Sequence, residues 1–181
     1  FGGSCLPKEV RAVSHIAHEL GVEVPLVDSL MVTNKSHIKQ AVDLLEPFSG
    51  KRIGFLGVTF KPGTDDLRES PTLEVMATLL ARGEAITAYD PNLHFGPLLQ
   101  GQIDYVRHAV PAQAKLMDEL QSITLESAND LIETCDVVVV SHATEQFRAV
   151  VNNRPTRVHV LDLARLFKEL PDDATYQGIA W

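Results

Sequence analysis

RIGFLGVTFKPGTDDLRES, residues 52–70, is the stretch that decides how this chain is read. Its first nine residues form a short, nearly continuous apolar run, the pattern of a strand buried on both faces. Read this way, the strand runs to Phe60 and Lys61 stands at its carboxyl end. A loop rich in Gly and Asp follows, and the composition then turns helical. Ser70 is placed as an N-cap, Pro71 at the first helical position and Gly83 as the stop, so SPTLEVMATLLARG reads as a helix.

Working outward, AITAYDP (85–91) reads as a second strand. Residues 93–122 are polar and mixed, and no element is assigned to them. SITLESANDLIETC (122–135) suggests a short strand and then a helix, DVVVVSHAT (136–144) a central strand, EQFRAVVNN (145–153) a helix and TRVHVLDLAR (156–165) a further strand. Strands alternating with helices imply a parallel sheet with right-handed crossovers. Upstream, Val10, Val13, Ile16, Ala17 and Leu20 recur at helical spacing over 7–20, and a longer helical stretch spans 25–48. Two such helices bury little surface alone. The expected class is α/β, a helical linker or dimerisation segment at 1–50 followed by a Rossmann-like parallel-sheet domain at 51–181.

The 181 residues carry 16 Lys and Arg against 24 Asp and Glu, a net charge of −8. Such a balance disfavours nucleic acid as a partner. The sequence has no apolar run long enough for a membrane span, which needs about 18 residues. Two cysteines, Cys5 and Cys135, are too few for a secreted disulfide scaffold or a Cys-rich zinc site, and a reducing cytoplasm is expected. His15 and His18 lie three apart with no further ligand to complete a set, so no metal is expected. The chain opens on FGGSCLPK, inside a loop and without an initiator Met, as if cut from a longer one.

That opening stretch could carry chemistry. Gly2 and Gly3 allow close backbone approach. Cys5 stands just before a helix start, where backbone N–H groups and Lys8 favour a thiolate. A nucleophilic cysteine and an inert buried one are equally compatible with these features, whereas Cys135, beside VVVV, is most simply core. In the second stretch Lys61 and Arg68 bracket a loop outside the carboxyl end of a strand, where ligands of open α/β sheets bind. This is a candidate anion site for a phosphate or pyrophosphate; in the plainer reading Asp65 and Asp66 merely pair with Lys61 and Arg68. No G-x-G-x-x-G occurs, so the dinucleotide fingerprint is absent.

Together, FGGSCLPK and FKPGTDDLRES resemble the catalytic-cysteine motif and the C-terminal nucleotide-sugar-binding signature of the UDP-glucose/GDP-mannose dehydrogenase family. The ending YQGIAW leans towards its GDP-mannose branch. The resemblance implies oxidation of the C6 alcohol of a nucleotide sugar to a carboxylate with two NAD molecules, through a thiohemiacetal and thioester on Cys5. It puts Gly2 and Lys61 on the substrate, and Lys8 and Arg68 on the cofactor side. It also implies a homodimer built on the 7–48 helices, an NAD-binding domain preceding the cysteine motif, and a uronic-acid product for polysaccharide synthesis, such as an alginate-like polymer. Glu9 departs from the family's usual Asp, and 101–122 fits the pattern poorly, as an insertion would. A UDP-sugar substrate, or a non-catalytic nucleotide-binding dimerisation module, are the alternatives.

Overall fold

The computed structural model of the chain describes residues 1–179. The last two residues of the YQGIAW ending lie outside the described residues. Helices α1 (Leu6–Glu19) and α2 (Pro25–Asp43) form an antiparallel pair, each with Pro in its first turn, where the missing N–H costs nothing. A short 3-10 turn over Glu46–Phe48 leads to β1 (Arg52–Leu56). Then follow α3 (Pro71–Ala81), β2 (Ala85–Tyr89), α4 (Pro97–Ala109), α5 (Ala114–Ile123), α6 (Ala128–Thr134), β3 (Val137–Val140), α7 (Glu145–Asn152), β4 (His159–Asp162) and β5 (Tyr176–Gly178).

The five strands are all parallel, in the order β2-β1-β3-β4-β5. Strand periodicity splits the core into two layers. Ile53, Phe55, Val137 and Val139 face one way, into a cluster shared with α2, α3, α4 and α5. Leu56, Val138 and Val140 face the other way, against α6 and α7. This is why the VVVV run is apolar at every position: both faces of β3 are covered. Ile38, Ala41, Val42 and Leu45 belong to the first layer, so the C-terminal half of α2 packs into the α/β core.

Three readings are corrected. The first strand ends at Leu56, four residues before Phe60, because the backbone turns at Gly57 (φ +96°) and leaves the sheet. Lys61 therefore sits on a loop beyond the strand end. Residues 93–122, left without structure above, hold α4 and α5; Leu99, Ile103, Val106, Leu116, Met117 and Leu120 are all buried in the first layer. Their helical period is diluted by polar outer faces, which hid it. The short strand at 122–125 is a single bridge, Thr124 beside Ala88, after α5 has ended. Strand β5 has three residues and was not expected at all.

Candidate active site at the carboxyl edge of the sheet

The chain leaves β1 for one side of the sheet through α3 and reaches β3 on the other side of β1, which makes the β1/β3 boundary the topological switch point. The loop after β1 (57–70) and the residues after β3 (Ser141, His142) meet there. A cavity of about 210 Å³ opens at this edge, lined by Thr59, Phe60, Thr72, Ser141, His142 and, from α2, His37. A second cleft of about 400 Å³ lies between α1, α2 and α4, lined by Arg11, Lys35, Glu69 and Tyr105 among others. Neither is lined by Cys5 or Lys61, which are both exposed.

The cysteine loop docks onto the 57–70 loop. The Gly3 N–H donates to the Glu69 carbonyl at 3.2 Å. Gly2 leaves no room for a side chain: a Cβ there would stand 2.2 Å from the Glu69 carbonyl oxygen and 2.5 Å from Pro71 Cδ. Gly3 has φ +87°, and its Cβ would stand 2.6 Å from the Phe60 ring. Arg11 of α1 fastens the junction from the side, with two hydrogen bonds to the Glu69 carboxylate at 2.9 and 2.5 Å. Glu69 itself is held at φ +50°, in the left-handed region. Cys5 caps α1 by position, with Ser4 Oγ 3.9 Å from its Sγ.

Each residue singled out from sequence can now be located. Lys61 Nζ lies 5.2 Å from the Phe60 ring centroid, a cation–π distance, and has no ion-pair partner among the described residues. Arg68 pairs with Asp66 through Nε and Nη2, both at 2.8 Å, so the plainer reading of the loop holds for that pair and not for Lys61. The guanidinium holds the Asp66 carboxyl below its ordinary value, with Ser4 of the cysteine loop adding a smaller pull in the same direction. Lys8 is exposed and faces Glu9 at 3.1 Å. Cys135 is buried, and burial pushes its thiol up to about 11. The structure thus brings Gly2, Gly3, Cys5 and Arg68 to the same loop junction as Phe60 and Lys61. Lys8 is turned to its own neighbour.

Sequence reading missed the residues beneath this junction. Asp90, at the end of β2, is buried, yet its carboxyl lies below the ordinary value: burial pushes it up, but N–H donors from Val58, Asn92 and Thr59 outweigh that. His142, at the end of β3, is buried beside it. Both follow the carboxyl ends of strands, in AITAYDP and DVVVVSHAT, and that position was the available signal. Among the described residues no cluster of His, Cys, Asp or Glu could hold a metal ion, and no helix is long and apolar enough to cross a membrane.

A family model described as the UDP binding domain of the UDP-glucose/GDP-mannose dehydrogenase family matches residues 54–169. The GDP-mannose 6-dehydrogenase of Pseudomonas putida KT2440 is 36% identical over the whole chain, and that of Azotobacter vinelandii 33%. The chain spans about 40% of the length of these relatives. Among solved structures, a ternary complex of GDP-mannose dehydrogenase from Pseudomonas aeruginosa superposes on the whole chain with a TM-score of 0.83 at 33% identity, covering 40% of that chain. A UDP-glucose dehydrogenase from Pyrobaculum islandicum does so at 0.71 and 30% identity, covering 38% of that chain. With these likenesses spanning the chain from the cysteine loop to the sheet, the protein belongs to the UDP-glucose/GDP-mannose dehydrogenase family.

Proposed function

We propose that this chain is the nucleotide-sugar-binding part of an NAD-dependent 6-dehydrogenase that converts GDP-mannose to GDP-mannuronate with Cys5 as nucleophile. One observation carries the reading: Gly2 and Gly3 seat the Cys5 loop against Phe60 and Glu69, on the very loop that bears Lys61. The two motifs meet through the Phe60 ring, so one substrate can engage both. Lys61, free of a carboxylate partner among the described residues, takes the diphosphate, and the Gly2 backbone lies against the substrate. The preference for GDP-mannose is supported by relatives of that name at 33–36% identity over the whole chain; those named UDP-glucose 6-dehydrogenase reach 27–31% over 74–83% of it.

The C6 alcohol is first oxidised to an aldehyde. The Cys5 thiolate adds to its carbon, forming a C–S bond, and the resulting oxyanion takes a proton to give a thiohemiacetal. Removal of hydride from that carbon, with release of the hydroxyl proton to solvent, leaves a thioester. Water then breaks the C–S bond, releasing the carboxylate and restoring the thiol. NAD, when bound, supplies the hydride acceptor for both oxidations. Within this chain Arg68 and Lys8 are the residues that would meet it. Arg68 fits, since its pairing with Asp66 occupies Nε and Nη2 and fixes the guanidinium while Nη1 has no partner among the described residues. No G-x-G-x-x-G is present to bind the dinucleotide as a whole. The 181-residue chain by itself is therefore assigned substrate binding without turnover. The exposed apolar residues of α1 and α2 are assigned to a homodimer, and the two unpaired cysteines to a reducing, cytoplasmic setting.

Two measurements test the reading. In the full-length protein, Cys5→Ser should abolish NADH formation from GDP-mannose; normal uronate production by that variant removes Cys5 as nucleophile. Calorimetric titration of this chain with GDP and with UDP separates the substrates. Preference for UDP moves the substrate to a UDP-sugar and leaves the cysteine chemistry in place.

A further inference from the structure

We infer that Asp90 is a positioning residue for Lys61, holding the loop after β1 from beneath so that the ammonium is presented to the substrate's diphosphate. The inference rests on the Lys61 assignment above. Asp90 is 3% exposed, and its side chain is committed to that loop. Its Oδ2 accepts from Val58 N at 2.8 Å, Thr59 N at 3.1 Å and Thr59 Oγ1 at 3.0 Å. Its Oδ1 accepts from Asn92 N at 2.9 Å and Asn92 Nδ2 at 3.0 Å, which fixes the carboxylate in turn.

Thr59 passes the constraint on. Its hydroxyl lies 3.1 Å from the Lys61 carbonyl as well as 3.0 Å from Asp90, and the Thr64 hydroxyl donates to the same carbonyl at 3.1 Å. The neighbours close the remaining positions. His142 Nε2 is 2.9 Å from the Thr59 carbonyl, which only accepts, so that nitrogen carries the proton. Ser70 donates to the Val58 carbonyl and Ser141 to the Gly57 carbonyl, both at 2.7 Å. The loop is thereby fixed at every residue from Gly57 to Lys61, Phe60 through its N–H, which donates to the Asp66 carbonyl at 3.0 Å.

A buried carboxylate is costly unless several donors satisfy it. Here the donors are the very N–H groups that open the β1 loop at the switch point. In many nucleotide sites such amides cradle a phosphate. With Asp90 already seated on Val58 and Thr59, a phosphate cannot use them and would meet a negative charge beneath. The diphosphate must be met from above, by a side chain, and Lys61 is the cation that this loop carries free of an ion pair among the described residues. Asp90 thus decides both where Lys61 stands and that a side chain, rather than backbone, binds the phosphates.

A double-mutant cycle on the full-length protein tests this, reading KM and kcat for GDP-mannose and binding of GDP and UDP. Lys61→Ala should raise KM about tenfold or more, the scale of a lost charge-assisted hydrogen bond. Asp90→Asn and Thr59→Val should raise KM severalfold with little change in kcat, and Thr59→Ser should restore it. Combined with Lys61→Ala, neither should add a further loss, because both act through the lysine. Val151→Ala, which loosens the opposite core layer beneath α7, should lower the melting temperature without moving KM. Should Asp90→Asn fail to fold, the Thr59 pair carries the same cycle. Full additivity with Lys61→Ala, or an unchanged KM in Thr59→Val, overturns the inference while leaving Lys61 on the substrate. A silent Lys61→Ala overturns both.

Discussion

Gly3 and Phe60 are in contact so close that a single methyl group on the glycine would stand 2.6 Å from the aromatic ring. That ring also carries the Lys61 ammonium on it, 5.2 Å from its centroid. Cysteine motif and lysine motif are thus coupled through one side chain, and the Gly3–Glu69 backbone bond closes the junction on the other side. Gly2 is the most demanding position in it, since its Cα faces the Glu69 carbonyl oxygen and the Pro71 ring with no flexible atom able to yield.

Gly2→Ala is therefore expected to displace the cysteine loop rather than to adjust around it. Overpacking of this kind costs about 1–3 kcal/mol, and it should fall mainly on activity because the displaced segment carries Cys5. Turnover by the full-length protein should drop at least about tenfold, as small misplacements of reacting groups commonly do. A Gly2→Ala enzyme with unchanged kcat/KM would mean that the loop re-seats without consequence.

The two cysteines should differ sharply in reactivity. Cys5 is exposed, whereas Cys135 is 1% exposed with its thiol pushed up to about 11. At pH 8 a thiol of that kind is ionised in only about one molecule in a thousand, and burial slows its encounter with reagent further. Iodoacetamide labelling followed by peptide mapping should show Cys5 modified first, by a factor of about a hundred or more. Comparable rates would place Cys135 in a breathing part of the core.

The same contrast shows what could be read from sequence. The parallel sheet was legible because VVVV and RIGFL need cover on both faces, and α3 because Ser70, Pro71 and Gly83 punctuate it. The strand end at Leu56 was not, since Val58 and Phe60 remain apolar after the chain has left the sheet; Val58 stays buried in the first core layer without strand pairing. Helices α4 and α5 were missed because their buried residues are spaced among Gln, Asp, Arg and Lys on outer faces. The docking of Gly2 and Gly3 on Glu69 and Phe60 joins segments far apart in sequence, and no local pattern announces which carbonyl a glycine will meet. Asp90 and His142 offered a signal, being polar residues just beyond the carboxyl ends of β2 and β3, but their partners are fixed only by the sheet order.

Asp90 also predicts a pH dependence. Its folded value lies below its ordinary 3.8, so its contribution to stability is fully present above that value and is lost as pH falls through the folded one. The stability difference between wild type and Asp90→Asn, measured by urea unfolding, should be constant from pH 7 down to about 5 and shrink below about 4. Other carboxylates depressed in the same way, such as Asp66 and Asp28, titrate in both proteins and cancel in the difference. A difference that grows on acidification would mean that the Asp90 carboxyl is protonated in the folded protein at neutral pH.

The last prediction concerns the helical pair. Ile16, Leu20, Leu26 and Val32 are all more than half exposed, whereas Ile38, Ala41 and Val42, further along α2, are buried in the α/β core. Apolar residues concentrated on one helical segment in this way mark an association surface, and a standard interface needs about 800 Å² on each partner. Sedimentation of the chain should therefore give twice the monomer mass of 19.9 kDa. Ile16→Asp with Leu26→Asp should shift it to monomer without lowering the melting temperature of the α/β unit, since neither side chain touches that core. The pairing of α1 with α2 should survive as well, because it is held separately by Ser14 and His18 on Asp28, at 2.5 and 3.1 Å. A monomer at high concentration in the unmodified chain would leave this apolar face to be covered by something other than a second copy.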